Sequence, residues 1–138
     1  MLTARDIMTE NVVTILPSCS VRSAIEQLIH EQISGLPVVD ENDQLVGIVT
    51  EFALLATAYD ESITGESVDK HMTTDVLTVE VDDPVRKVAD LFIVHRVRRV
   101  PVMEKGRIAG LISRRDVLKA VYEGSSHLSG ASSVTFGR

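Results

Sequence analysis

Hydrophobic and polar positions along the chain predict the same succession of elements twice. In the first copy, an apolar strand over 12–16 precedes a helix whose apolar residues recur three and four positions apart, the spacing of one helical face. These residues are Val21, Ala24, Ile25 and Leu28, with Ser20 as the N-cap. A hairpin over 36–49 and a second helix over 51–59 follow. The predicted order is β-α-β-β-α.

The second copy repeats this pattern about 64 residues later. The aligned pairs include Met8 with Met72, Pro37 with Pro101 and, after one residue is lost in a turn, Gly47 with Gly110. The predicted elements are a strand over 76–81, a helix capped by Asp83 with Pro84 in its first position, a hairpin over 100–112 and a helix over 114–122. A matching order in both halves indicates a tandem repeat.

The repeat predicts one mixed α/β (α+β) domain built from two motifs. A single copy is too small to bury both faces of its short sheet, so the copies are expected to pack against each other. The first motif is predicted over 1–64 and the second over 65–124. The polar stretch 60–69 is interpreted as a linker containing a turn of helix, and the Ser/Gly-rich stretch 125–138 as a disordered tail.

Composition and charge narrow the function. No apolar run approaches the roughly 18 residues of a membrane span, the N-terminus does not resemble a signal peptide, and Cys19 is the only cysteine. These features predict a cytoplasmic protein without a membrane segment. The net charge of −6 argues against nucleic acid as a partner. Residues 1–69 hold 2 basic and 12 acidic side chains and residues 70–138 hold 12 and 8, so the second half is expected to supply positive charge for a bound anion.

The segment Ser113-Arg114-Arg115-Asp116 carries the most informative chemistry. A hydroxyl residue ends a strand and caps a helix, whose free N–H groups and partial positive charge suit phosphate. The Asp116 carboxylate can accept two hydrogen bonds, as a ribose diol requires, and the two arginines add positive charge. The same Ser-x-x-Asp pattern is also a capping box, so a purely structural role stays open.

In their order, these motifs resemble a tandem pair of CBS motifs. The segments that carry the resemblance are Ile7-Met8-Thr9, Leu36-Pro37-Val38-Val39 and Gly47-Ile48-Val49-Thr50, then His71-Met72-Thr73, Val100-Pro101-Val102-Met103 and Gly110 through Asp116. The resemblance covers about residues 3–123. It implies two repeats packed about a pseudo-twofold axis, with clefts between them that hold AMP, ADP, ATP or S-adenosylmethionine. It also implies a regulatory module that does no chemistry on its ligand.

The resemblance implies specific site residues. Asp116 would bind the ribose and Ser113 a phosphate, with Arg114, Arg115, Arg98 and Arg99 supplying positive charge near the phosphates. The adenine would be contacted from the first copy. The residues implied there are Met8, Val13, Ile33 and Ser34, although each of the apolar ones, taken separately, fits a plain core nearly as well. Ala53 stands where the first copy should carry the ribose-binding acid, so we expect one competent site.

Three hypotheses for the function remain at this point. The first is a stand-alone regulatory pair that binds an adenine nucleotide, requires no cofactor and signals to a partner protein; the second is a ligand-free dimerisation scaffold. Nucleic-acid binding through the arginines is the third. No catalytic constellation or metal-ligand spacing is evident, so an enzyme is not expected. Apolar residues on the second helices predict a homodimer. They are Phe52, Leu54, Leu55, Tyr59, Val117, Leu118, Val121 and Tyr122.

Overall fold

The computed structural model describes residues 1–129, with side chains through residue 124. The chain divides into two compact units. Of the described residues, the first unit holds 1–11, 78–104 and 109–129, and the second holds 12–77 and 105–108.

The predicted helices and hairpins occur in the predicted order in both copies. The helices are α1 (Ala4–Ile7), α2 (Val21–Glu31), α3 (Glu51–Leu54), α4 (Val85–His95) and α5 (Arg114–Ser129). The strands are β1 (Gly35–Val39), β2 (Leu45–Thr50), β3 (Val79–Glu80), β4 (Arg99–Glu104) and β5 (Arg107–Ser113). Turns of 3-10 helix occupy Leu55–Ala58, Glu61–Gly65 and Val68–Lys70, which confirms a helical turn within the predicted linker.

The second unit packs α2 against the antiparallel pair β1–β2. The predicted N-cap is confirmed, because the Ser20 hydroxyl accepts the Ser23 N–H over 3.1 Å. The predicted strand over 12–16 is reduced to one parallel bridge from Ile15 to Val38. The core gathers the buried face of each element. Its fully buried members include Val21, Ala24, Leu36, Val38, Val49 and Val68.

The first unit holds the sheet β3-β4-β5, in which β3 is parallel to β4 and Val79 pairs with Val102. The predicted strand over 76–81 therefore shrinks to two residues, as short edge strands commonly do. The predicted cap of α4 is wrong. Pro84 occupies the N-cap position, and the Asp83 carboxylate instead accepts the Glu80 N–H over 2.8 Å and lies 3.3 Å from Lys87 Nζ.

Each unit is completed by the segment that leads into the other copy. We call residues 1–11 the first lead segment and residues 66–77 the second. In the first unit Ala4 is fully buried and Thr9 pairs with Leu111. In the second unit Val68 is fully buried and Thr73 pairs with Ile48. The compact units therefore differ from the sequence repeats, because the lead segments are exchanged.

The second helix of each copy departs from its predicted length. In the first copy α3 gives way to a 3-10 turn at Leu55, where the Thr57 hydroxyl donates to the Leu54 carbonyl over 2.7 Å. In the second copy α5 continues to Ser129, so the start of the predicted disordered tail is helical. Residues 130–138 of that tail lie outside the described residues.

Candidate functional site

The start of α5 brings Ser113 and Asp116 together in a reciprocal capping box. The Ser113 N–H donates to Oδ2 of Asp116 over 2.8 Å, and the Asp116 N–H donates to the Ser113 hydroxyl oxygen over 3.3 Å. The hydroxyl itself donates to Oδ2 over 3.1 Å. The structural role left open by the sequence is thus realised. Because the box uses Oδ2 of the half-buried carboxylate, Oδ1 is the oxygen it leaves for another donor.

The first unit contains a second box of the same kind at α1. The Thr3 N–H and hydroxyl donate to Oδ2 of Asp6 over 2.8 Å and 3.1 Å, the same distances as at α5. These hydrogen bonds, the backbone one foremost, lower the pKa of Asp6 below its ordinary value. The geometry of a cap therefore does not show whether it belongs to a binding site. The residues that surround each cap must be compared instead.

In the first copy the corresponding cap is incomplete. The Thr50 hydroxyl accepts the Ala53 N–H over 3.2 Å, so the helix still begins properly. Ala53 has no carboxylate to return a hydrogen bond or to bind a diol, and Glu51 adds a negative charge beside it. The two copies share a backbone cap but differ in the chemistry that it presents.

Arg114 makes the contacts that distinguish the α5 cap. Its Nε donates to the Val97 carbonyl and its Nη2 to the Arg96 carbonyl, each over 3.1 Å. These carbonyls lie just beyond α4, where Arg96 adopts a left-handed conformation with φ of 54°. The predicted phosphate ligand thus already has partners, and it ties the loop between α4 and β4 to the start of α5. This contact could not be predicted from the residue pattern, because its acceptors are backbone carbonyls, which every residue carries.

The other arginines of the predicted site fall around this contact. Arg98 is exposed in the tied loop, Arg99 is half-buried at the start of β4, and Arg115 is exposed in the first turn of α5. Among the residues whose side chains are described, neither Arg98 nor Arg115 forms an ion pair with an acidic side chain. Within this part of the chain, no acidic side chain pairs with either guanidinium group.

The predicted adenine contacts divide between the two units. Met8 lies in the same unit as Asp116, not in the unit built by the first copy, because it belongs to the exchanged lead segment. A Cβ placed on Gly110 would lie 2.6 Å from Met8 Sδ, so the side chain covers this glycine of β5 closely. Val13, Ile33 and Ser34 belong to the second unit, and their part in a site stays a prediction.

The apolar residues of the second helices separate into buried and exposed sets. Leu54 and Val117 are buried in the cores of their own units, so they cannot belong to an association surface. The remaining six predicted residues are exposed. They are Phe52, Leu55, Tyr59, Leu118, Val121 and Tyr122, with exposed fractions from 40% to 94%.

Other chemistry is sparse in the described part of the chain. Among the side chains that the structure describes, those of residues 1–124, no group of three or more His, Cys, Asp or Glu is placed to hold a metal ion. The same residues include no helix that combines the length and the apolar character of a membrane span. His71 contacts Glu66, with 2.8 Å between Nε2 and Oε1, in the second unit and far along the chain from Asp116.

The CBS domain family matches the chain twice, over residues 4–59 and 66–123. The chain belongs to the CBS domain family. The matched segments cover both copies of the repeat, so the chain contains a CBS pair with a mixed helix and strand fold. The resemblance carried by the repeated motifs is therefore confirmed.

The curated relatives are longer proteins, and the chain matches only a part of each. It is 30% identical over 115 residues to the uncharacterized protein MJ1225 of Methanocaldococcus jannaschii, matching 83% of the chain and 41% of that protein. It is 36% identical over 117 residues to the inosine-5'-monophosphate dehydrogenase of the same organism, matching 84% of the chain and 23% of the enzyme. The chain thus spans less than half the length of either relative.

Solved CBS pairs resemble the chain along nearly their whole length. CBSX2 in complex with AMP is 32% identical, with a TM-score of 0.82, and the match covers 91% of this chain and 99% of that one. The CBS pair of MJ0100, in complex with 5'-methylthioadenosine and S-adenosylmethionine, is 27% identical, with a TM-score of 0.76 and coverage of 91% and 98%. The three ligands share adenine joined to a ribose that carries a 2',3'-diol.

Proposed function

We propose that this CBS pair is a non-catalytic regulatory module that binds an adenine nucleotide at the start of α5 and signals to a partner protein. The proposal rests on two features that lie together. The Ser113–Asp116 box begins α5, and Arg114 hydrogen-bonds from the same turn to the loop 96–98, which contains Arg96 and Arg98 and which we call the arginine loop. Asp116 accepts hydrogen bonds from the ribose diol, and Ser113 with the first N–H groups of α5 meets the phosphate nearest the ribose.

Charge favours a phosphorylated ligand over S-adenosylmethionine. The sulfonium of S-adenosylmethionine is positive, and the exposed guanidinium groups of Arg98 and Arg115 would repel it. AMP, ADP and ATP are anions and would be attracted by the same groups. Similar CBS pairs bind AMP in one case and 5'-methylthioadenosine with S-adenosylmethionine in the other, which supports the adenine and ribose part of the proposal. The preference for phosphates rests on the two arginines of this chain.

The proposal includes a stoichiometry of one nucleotide per chain. The second cap, at Thr50, lacks the carboxylate that would bind ribose and carries Glu51 where α5 has Arg114. A negative side chain at that position opposes a phosphate. The cap of the first copy then serves the fold alone.

The decisive experiment is calorimetric titration of the protein with AMP, ADP, ATP and S-adenosylmethionine, repeated on two matched variants. Asp116→Ala removes the proposed ribose ligand together with the α5 box. Asp6→Ala removes an equivalent box at α1 in the same unit and serves as the control for cap loss. We expect one anionic nucleotide per chain and at least about a tenfold loss of affinity in Asp116→Ala, as for a lost hydrogen bond to a charged group.

The control makes the result interpretable. Asp6→Ala is expected to bind nucleotide as the unaltered chain does. Equal losses in the two variants would assign the effect to cap removal and contradict the ribose role of Asp116. If none of the four compounds gave a measurable heat of binding, the nucleotide function would be overturned.

A ligand-free scaffold is the second candidate, and it rests on the exposed apolar residues of the second helices. A homodimer through this surface would bury them. The two functions are compatible. The titration tests the first directly, because a bare scaffold binds none of the four compounds. Any ligand that binds the folded chain would also stabilise it by mass action.

A further inference from the structure

Arg114 contacts backbone oxygens just beyond α4, and this contact gives the side chain a role other than binding a phosphate. The carbonyls of Arg96 and Val97 follow the last turn of an 11-residue helix, where the helix dipole concentrates partial negative charge. Oxygen atoms of this kind close to the α5 cap would repel an anion. Two hydrogen bonds of 3.1 Å from one guanidinium cover both of them.

The same loop in the first copy is closed without a side chain. Its left-handed residue is Gln32, with φ of 56° against 54° at Arg96, so the backbones turn alike. There the Ile33 N–H donates to the Leu28 carbonyl over 3.1 Å and locks the turn. In the described residues Val97, the counterpart of Ile33, makes no such bond.

The residue that corresponds to Arg114 in the first copy is Glu51, whose side chain has no N–H to donate. The first copy nevertheless folds the helix, loop and strand in the same order. The clamp by Arg114 is therefore not a requirement of the repeat. It is present in the copy that carries Asp116 and is missing in the copy that carries Ala53.

We propose that Arg114 is a positioning residue: its guanidinium clamps the loop 96–98 against the start of α5, screens the carbonyls of that loop, and holds Arg98 where it can meet the phosphates. The nucleotide part of this inference rests on the proposed function. Arg115, one residue further on, is exposed and carries an equal charge without these contacts, which makes it the matched control.

The first test is amide hydrogen exchange without nucleotide, comparing Arg114→Gln with Arg115→Gln. Loss of the clamp should speed exchange at the amides of residues 96–99 in Arg114→Gln and leave them unchanged in Arg115→Gln. Equal exchange in the two variants would overturn the clamp. Because no nucleotide is present, this result does not depend on the proposed function.

The second test is a double-mutant cycle for ADP and ATP binding with Arg98→Gln. If Arg114 acts by holding Arg98, the double variant Arg98→Gln/Arg114→Gln should bind no more weakly than Arg114→Gln alone, whose affinity falls about tenfold. Arg98→Gln and Arg115→Gln should instead add. Additive losses for Arg114 and Arg98 would make Arg114 an independent phosphate ligand and overturn the positioning role. A chain that binds neither nucleotide would refute the proposed function and leave hydrogen exchange to decide the clamp.

Discussion

At the scale of single residues, two similar helix caps lie in different surroundings in this chain. The boxes at Thr3–Asp6 and Ser113–Asp116 have the same hydrogen-bond lengths, and only the second lies beside a clamped arginine loop. The sequence predicted the Ser113–Asp116 cap, because capping depends on residues three positions apart. It could not predict the partners of Arg114, since its acceptors are backbone oxygens brought close only by folding.

Asp6 gives a prediction for pH. Its folded-state pKa is lowered by hydrogen bonds from Thr3, so its ionised form stabilises the folded chain above the ordinary Asp value of about 4. This stabilisation is lost as pH falls through the lowered pKa. The unaltered chain should therefore exceed Asp6→Asn in unfolding free energy near neutral pH, with the gap narrowing below about pH 4. Denaturant titrations from pH 7 downward measure it, and a constant gap would contradict the cause assigned here.

At the scale of elements, the repeat pattern predicted the helices and hairpins and missed the exchange of the lead segments. Hydrophobic periodicity reports which residues are buried but not against which copy. Met8 and Met72 occupy equivalent positions, and each packs over a glycine from the other copy's hairpin, Gly110 and Gly47. The cap of α4 was predicted wrongly for a different reason. The Asp83 carboxylate accepts a hydrogen bond from the Glu80 N–H, three residues earlier, and not from the first turn of the helix.

Gly110 tests how closely the first lead segment lies on β5. An alanine Cβ there would meet Met8 Sδ at 2.6 Å and the Thr9 carbonyl oxygen at 2.9 Å. The methionine can move, but the carbonyl is held by its hydrogen bond with Leu111. Gly110→Ala should lower the unfolding free energy by about 1–3 kcal/mol in denaturant titration.

The matched control for this substitution is Gly65→Ala. A Cβ at Gly65 would meet no atom within 4 Å. We expect a change within about 0.5 kcal/mol, as for an unconstrained surface position. Similar losses at both glycines would show that close packing by the lead segment is not the cause.

At the scale of the whole molecule, burial in the structure narrows the set of residues on the second helices that the predicted homodimer could use. Leu54 and Val117 complete cores, while residues such as Phe52 and Leu118 remain exposed, at 84% and 68%. An amphipathic pattern predicts that a helix buries one face. A helix can also carry apolar residues outside that buried face, and these can be recognised only when the structure shows which residues enter the core.

Leu118→Glu is expected to weaken self-association, because a charge in an apolar interface must lose its hydration. Sedimentation velocity across a concentration series should show a shift toward monomer. The control is Lys119→Gln, which changes the net charge equally at the neighbouring exposed position. A sedimentation profile unchanged by Leu118→Glu, or changed as much by the control, would remove this surface from the homodimer hypothesis.

The exchanged lead segments also govern the order in which the chain can fold. The bridge from Thr73 to Ile48 closes a loop of about 25 residues, whereas the bridge from Thr9 to Leu111 closes one of about 100. On the ribosome the second unit has nearly all of its residues once the chain has passed residue 77. The first unit cannot close until the last strand has emerged, so the first lead segment is synthesised about 100 residues before the strand that it pairs with.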